Sequence, residues 1–346
     1  MSKVKYKNSR INNIDNPKSQ SIVDRFGRTF NYLRLAVNEM CNLRCIYCMP
    51  EEGIKFKPEN KILSDSEIFR LIQITTELGV SKIRFTGGEP LLRKGIVDII
   101  KYTKNIKTVK SIHLTTNGIL LSPMLDKLGN SGLSGINISI DTLNPEKYKI
   151  ISRRDSLNKV MDSLHQAINQ NCFNIKINVV AMKDFNDDEL VDFIELTKEN
   201  NITVRFIELM PFDSHQIWKT GKFYKADEIL SQIKYRYKDF VDVSGSSTEH
   251  HIFRLKGYQG KVAIIPSYTR SLCGQCNRIR ITADGNLLNC LYSQKGIDLL
   301  SPIRKNLTNE EIKKIIKQGM FKKLKDGWEA HKKGSEYKSS MTQIGG

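Results

Sequence analysis

The chain has 346 residues, enough for one large domain or a large domain with an appendage, and its 39% hydrophobic content can supply a substantial core. No run approaches the roughly 18 consecutive apolar residues of a membrane span, and no apolar secretory core opens the chain. The formal charge of +18 raises nucleic-acid binding as a function, but the lysines are scattered over helical segments and both termini, with no basic run interleaved with aromatics, so the charge reads as a solvated lysine-rich surface.

In chain order, residues 1–20 are polar, and a disordered N-terminal extension is expected over 1–23. The first strand signal is YLRLAVN (32–38). Directly after it comes CNLRCIYC, which places Cys41, Cys45 and Cys48 in a C-x3-C-x2-C spacing. Three thiolates within eight residues, with no fourth, suit a cubane iron–sulfur cluster that keeps one iron open for a reacting ligand. A zinc loop or three unrelated buried cysteines are the alternatives; zinc knuckles favour C-x2-C pairs with more distant partners.

The next segments alternate strand and helix. Residues 65–78 are amphipathic, open with the capping box Ser64-x-x-Glu67 and close at Gly79. Strands are expected at KIRFT (82–86), SIHLTT (111–116), GINISI (135–140), IKINVVAM (175–182) and TVRFIEL (203–209). Helices are expected after GGEPLLRKG and over 123–130, 157–171 and 187–200. Such alternation predicts a parallel sheet; six units are too few for a closed eight-fold barrel, and they suit an incomplete (β/α)6 TIM-type barrel with chemistry at the carboxyl ends of its strands.

Period-two alternation lets the inward residues be named. They are Lys82, Arg84 and Thr86; Thr115 and Asn117; Asn137, Ser139 and Asp141; Lys176 and Asn178; and Glu208 and Met210. A face this polar would be costly in a sealed core and is sensible in a cavity for a charged ligand.

After residue 243 the pattern changes. SGSSTEH (244–250) reads as a linker, so a core at 24–243 and a smaller C-terminal domain at 244–346, capping the open side of the barrel, are expected. HIFRLKG and KVAIIPSYT look like strands, followed by Cys273, Cys276 and Cys290 in a C-x2-C-x13-C spacing. No histidine follows within range, so this group also offers three thiolates; alone it is ambiguous between zinc and a second cluster. Asp284-Gly285 is a hairpin signal that would return Cys290 toward Cys276. Cys172, the seventh cysteine, reads as packing or an inert surface thiol. An amphipathic helix (309–326) and a polar tail ending in Gly345-Gly346 complete the chain.

CNLRCIYC, GGEP after a strand, and CGQCNRIR with Cys290 resemble the radical S-adenosylmethionine enzymes, and more closely the GTP 3′,8-cyclase family of molybdenum-cofactor biosynthesis. The likeness covers residues 24–346 and includes RFTGGEPLLR, LTTNGILL, INISIDTL, KINVV, RFIELM and the terminal Gly-Gly; residues 211–260 match loosely. It implies a radical S-adenosylmethionine core, a C-terminal domain carrying a second 4Fe–4S cluster, and a lyase that converts GTP to (8S)-3′,8-cyclo-7,8-dihydroguanosine 5′-triphosphate. In that family the first cluster, on Cys41, Cys45 and Cys48, would bind S-adenosylmethionine, with Tyr47, Gly88, Ser139 and Met210 at the contacts. The second, on Cys273, Cys276 and Cys290, would face GTP, held by Arg34, Arg84, Thr115, Lys176, Arg278, Ile279 and Arg280, with Lys82 assisting. Arg278, Arg280, Gly345 and Gly346 would take the catalytic roles, the double glycine reaching the active site.

The implied partners are a flavodoxin- or ferredoxin-type reductant and a downstream cyclic pyranopterin monophosphate synthase (MoaC type), with no nucleic acid or membrane. A monomer or homodimer in the cytoplasm is expected, where reducing surroundings suit thiolate clusters. Two other readings stay open at this point. One is a peptide-modifying radical S-adenosylmethionine enzyme with an auxiliary cluster; the other is a non-catalytic iron–sulfur sensor or nucleic-acid binder.

Overall fold

The structure, a computed structural model, describes residues 21–210, 222–243, 251–269, 273–293, 295–332 and 340–344. The N-terminal extension through residue 20, the 244–250 linker and Gly345-Gly346 lie outside these described residues. Residues 21–23, grouped above with the extension, belong to the fold: Ile22 is fully buried, and Val23 bridges Thr29. Ile22 packs in the main hydrophobic core, where an apolar side chain gains more from burial than a frayed end would keep in freedom.

Six strands follow the expected order: β1 (Tyr32–Ala36), β2 (Lys82–Thr86), β3 (Ser111–Thr116), β4 (Gly135–Ser139), β5 (Asn174–Ala181) and β6 (Thr203–Glu208). Each pairs in parallel with the next. The helices between them include α1 (Asp65–Glu77), α2 (Ile96–Lys104), α3 (Leu125–Asn130), α4 (Pro145–Ser152), α5 (Leu157–Gln170) and α6 (Leu190–Glu195). At α1 the expected capping box is present, Ser64 accepting from the Glu67 N–H and Glu67 from the Ser64 N–H. The outward strand residues, such as Leu33, Leu35, Ile83, Phe85, Ile136, Ile138, Val204 and Phe206, are fully buried against these helices.

The C-terminal part is built into this sheet. Beyond α7 (Ala226–Arg236) come β7 (Phe240–Asp242), β8 (His251–Leu255), β9 (Lys261–Ile265), β10 (Arg278–Ile281), β11 (Asn286–Leu288) and β12 (Ile297–Asp298). Strand β9 pairs in parallel with β6, and β10 pairs in parallel with β1. The sheet order is therefore β12-β11-β10-β1-β2-β3-β4-β5-β6-β9-β8-β7, with one parallel strand added at each edge of the six. The strands of the expected smaller C-terminal domain join this sheet at both of its edges, where strand ladders satisfy the open backbone groups. One continuous core runs from Ile22 to Met320, so no break in packing falls at residue 243. Helix α8 (Leu300–Arg304) precedes α9 (Asn309–Phe321), which extends the helix layer through Lys313–Glu77 at 2.7 Å; the expected helix 309–326 ends at Phe321, and α10 (Gly327–Lys332) follows.

Glu208 departs from its expected inward placement. It follows Val204 and Phe206 on the outward side, where it is 1% exposed and accepts from the N–H groups of Ala226 (2.8 Å), Tyr268 (2.8 Å) and Thr269 (2.9 Å). The residues of β6 that line the cavity are Arg205 and Ile207. Hydrogen bonds to a charged acceptor are each worth about 1.5–3 kcal/mol. Glu208→Gln is therefore expected to lower unfolding free energy by about 2–3 kcal/mol, read from denaturant midpoints at constant m-value.

Candidate active site

The first cysteine loop is held by backbone-to-backbone contact with the GGEP turn. Gly88 N donates to Asn38 O (3.0 Å), and Glu89 N donates to Met40 O (2.7 Å). A Cβ at Gly88 would meet Met40 O at 2.1 Å and Glu39 O at 2.6 Å, and one at Gly87 would meet Asn38 O at 2.4 Å. The glycines are needed so that these two segments can touch, more directly than for the approach of a ligand. Glu89 is fully buried and accepts from Thr116 Oγ1 (2.8 Å), Asn117 N (2.7 Å) and Leu91 N (3.0 Å). Burial outweighs these donors and pushes its carboxyl up to about 7. Asn117 in turn donates to Asn42 Oδ1 (2.7 Å), tying the end of β3 to the cysteine loop.

Tyr47, between the second and third cysteines, donates to Asp141 Oδ2 (2.6 Å), whose other oxygen accepts from Val180 N (2.8 Å). Burial raises Asp141 to about 6. The loop is also braced by Arg44, which donates to Cys41 O and Leu43 O, and by Arg153, which donates to Arg44 O and Met49 O. The C-terminal segment joins here: Met341 N donates to Cys48 O (3.2 Å), while Ile344 packs with Leu288 and Tyr292 near Cys290. Residues 340–344 therefore span from one cysteine triplet to the other.

The second triplet starts on the loop before β10. Arg28 clamps it, donating to Cys273 O (2.9 Å) and Lys325 O (2.8 Å) while pairing with buried Asp24 (2.6 Å). The predicted hairpin is present: β10 and β11 pair antiparallel around Asp284-Gly285 and return Cys290 to the neighbourhood of Cys276.

One cavity of about 360 Å³ is lined by all six of these cysteines. Of the expected contacts it also gathers Arg34, Tyr47, Arg84, Gly88, Thr115, Ser139, Met210, Arg278 and Arg280. Lys82 and Lys176 share the inward face nearer the amino ends of their strands and do not line the cavity. The Ile279 side chain is fully buried on the outward face of β10, beside Leu33, since it alternates with Arg278 and Arg280, so it is the backbone of this expected GTP contact that faces the cavity side.

Sequence reasoning missed Arg205, Tyr32, His113 and Lys323. The first three carry the same alternation that exposed Arg84 and Lys176; Lys323 has no such signal. Arg205 lines the cavity, and with the Asn137 carboxamide turned so that its oxygen faces the guanidiniums, Arg84 and Arg205 both donate to it. Among the described lining residues, Arg34, Arg84, Arg205, Arg278, Arg280 and Lys323 face a single carboxylate, Asp141. This crowding shows in the titrating groups. Burial, then Arg34, depress Arg278, and Arg280 is depressed by burial, Arg34 and Arg278. Burial alone would raise Tyr32, but the charges of Arg84, Arg34, Lys82 and Arg278 bring its phenol down to about 7. Burial, joined by Arg84, Lys82, Lys176 and Arg205, lowers His113 to about 3.

The cysteines are free thiols. Burial pushes Cys48 up to about 12 and raises Cys41 and Cys45, whereas Cys276 is brought to about 7 because Lys323, Arg278 and Arg280 overcome its burial. No three His, Cys, Asp or Glu side chains among the described residues converge as a single ion requires; a four-iron cluster takes each thiolate on a different iron and does not ask for that convergence. Backbone N–H groups already point at the sulfurs, Leu43 N at Cys41 Sγ (3.4 Å) and Gly327 N at Cys273 Sγ (3.3 Å). Two half-buried thiol triplets with N–H donors fit iron–sulfur clusters.

A partial barrel of parallel strands with a C-x3-C-x2-C loop at its mouth defines a radical S-adenosylmethionine enzyme, and the model of the Radical SAM superfamily matches residues 36–197. The model described as Molybdenum Cofactor Synthesis C matches residues 202–328. The GTP 3′,8-cyclase of Chlorobaculum tepidum is 41% identical over 96% of this chain and 100% of its own. Molybdenum cofactor biosynthesis protein 1 of Dictyostelium discoideum is 40% identical over 92% of this chain, which spans 51% of that protein. Streptococcus suis SuiB, solved with S-adenosylmethionine, shares the fold at a TM-score of 0.57 and 13% identity, over 84% of this chain and 72% of that one. The chain belongs to the GTP 3′,8-cyclase family. No helix among its described residues is long and apolar enough to cross a membrane.

A depressed imidazole binds its proton more weakly in the folded chain than in the unfolded one. Between about 3 and 6.5 the unfolded state holds more protons, so stability rises with pH, by up to about 1.4 kcal/mol per unit. His113→Asn is expected to flatten that slope, measured by denaturant unfolding at about pH 4.5 and 6; an unchanged slope would mean His113 is charged in the folded protein.

Proposed function

We propose that this chain is a GTP 3′,8-cyclase with two 4Fe–4S clusters, one on Cys41, Cys45 and Cys48 and one on Cys273, Cys276 and Cys290. The observation that carries this reading is the single cavity lined by both triplets and by five guanidinium groups against one carboxylate among the described lining residues. A nucleoside triphosphate suits such a wall, because arginine pairs with phosphate oxygens through parallel hydrogen bonds. A peptide substrate offers these guanidiniums no comparable cluster of phosphate oxygens.

When bound, the cluster and S-adenosylmethionine would supply the radical chemistry that takes hydrogen from C3′ of the ribose; the C3′–C8 bond would then form, and one electron from the reductant with one proton at N7 would complete the 7,8-dihydro product. The chain's own residues orient and enclose. Tyr47, Gly88, Ser139 and Met210 line the end of the cavity by the first triplet and suit S-adenosylmethionine. Arg34, Arg84, Thr115, Arg278 and Arg280 hold the triphosphate, joined by Arg205, while Lys82 and Lys176 add positive potential from the tier below. Any part for Ile279 runs through its backbone. Fixing both reactants in one walled cavity converts an encounter into an oriented reaction and keeps water out. Gly345 and Gly346 extend a segment already held at Cys48 and, with no side chains, fit a crowded position beside the substrate. The enzyme works in the cytoplasm with a flavodoxin- or ferredoxin-type reductant, and a cyclic pyranopterin monophosphate synthase consumes its product.

Anaerobically reconstituted protein given dithionite, S-adenosylmethionine and GTP is expected to form the cyclic nucleotide and to hold about eight irons. About four irons and no GTP-dependent product would defeat the reading. Arg278→Ala and Arg280→Ala are each expected to weaken GTP about ten- to a hundredfold, corresponding to about 1.5–3 kcal/mol, and guanosine far less. Equal losses for both ligands in a titration would remove the phosphate role. Deleting Gly345-Gly346 is expected to leave iron content and GTP affinity nearly intact while turnover collapses; unchanged product formation would separate the tail from catalysis.

A further inference from the structure

Lys323 lies just past α9, outside every motif named from the sequence, and is 4% exposed while lining the cavity. Its ammonium donates to the carbonyl of Asn289, the residue before Cys290, and stands 5.6 Å from the centroid of the Phe30 ring. Among the described residues that line this cavity, Asp141 is the single carboxylate, and Lys323 shares it with five arginines. A buried ammonium is costly unless an anion offsets it, and one carbonyl with one aromatic face is thin compensation. Lys323 shares the cavity lining with Cys273, Cys276 and Cys290, and the carbonyl it engages belongs to the residue that precedes Cys290. Arg278 and Arg280 point into the cavity from the strand that follows Cys276; Lys323 arrives from the helical segment that follows the hairpin, where the loop of Asn289 and Cys290 closes over it.

We propose that Lys323 is the counter-cation of the second cysteine triplet, a positioning residue that offsets the negative charge of the group those thiolates hold and raises its reduction potential. This rests on the reading that Cys273, Cys276 and Cys290 carry a cluster. Reduction adds one negative charge to an already anionic cluster, and a fixed cation at short range in a low-dielectric wall favours the reduced form. A neutral side chain there lowers the potential, and arginine keeps it.

The second cluster can be read alone in full-length protein with Cys41, Cys45 and Cys48 changed to Ala, reconstituted without S-adenosylmethionine or GTP. Iron is counted and the midpoint potential taken by spectroscopically monitored redox titration, with Lys323→Met, Lys323→Gln and Lys323→Arg added in turn. About four irons per chain are expected throughout, with a lower potential for Met and Gln and a near-parental one for Arg. Iron lost from Met and Gln but kept by Arg also supports the charge role. Full iron with an unmoved potential in Met or Gln overturns the proposal, as does iron lost from all three, which assigns Lys323 to packing. No iron in the parental background overturns the cluster reading itself and the proposal with it.

Discussion

The pairing of β10 with β1 is the constraint on which the rest of this molecule depends. It sets Arg280 beside Arg34 and Arg278 beside Tyr32, across about two hundred and fifty residues of chain, and Arg84 lies beside Arg34 on the other side. Three guanidiniums abreast on one face would drive strands apart if side chains alone decided, since like charges directly opposite are destabilising. The backbone ladder and the outward Leu33, Ile279, Ile83 and Phe85, all fully buried, hold the strands together against that repulsion. The result is an inner wall that sets Arg280, Arg34 and Arg84 side by side on three neighbouring strands. The same pairing delivers Cys276, two residues before β10, to the cavity that already contains the first triplet.

Around this wall the loops are stiffened by polar contacts that leave little to chance. The first cysteine loop is fixed by glycine-to-backbone contact below, by Asn117 at its side and by Arg44 and Arg153 on its carbonyls. The second is clamped by Arg28, itself held by a buried Asp24. Lys57 spans from Glu39, just ahead of the first cysteines, to Asp284 in the hairpin beyond β10. The 340–344 segment makes another link between the same regions. Buried polar networks of this kind are expensive when half satisfied and rigid when complete, which suits a site whose two cysteine loops must stay in register.

The inner face shows how much of a site alternation alone can reveal. Lys82, Arg84, Thr115, Asn137, Ser139, Asp141, Lys176 and Asn178 were legible because strand side chains alternate and polar residues rarely fill a sealed face. Glu208 was misread for a local reason: counting back from Met210, which does line the cavity, gives the wrong parity once β6 ends at Glu208. Ile279 was carried by its place in the CGQCNRIR run, although the rule that points Arg278 and Arg280 inward points it outward. His113 and Arg205 obeyed the alternation and were passed over because no motif contained the one and RFIELM was read only for its end.

The sequence by itself determined the covalent facts: two thiolate triplets, the glycines that let backbones meet, and the strand–helix rhythm that buries alternate apolar residues. Those are short-range consequences of side-chain chemistry and backbone sterics, so they can be read from neighbours in the chain. Only the tertiary structure decided which edges the C-terminal strands would join, that Ile22 closes the core, and that Lys323 would sit buried against the Asn289–Cys290 loop. Each depends on contacts between residues far apart in sequence, where the competing outcomes differ in hydrogen-bonded edges and buried area and not in any local pattern.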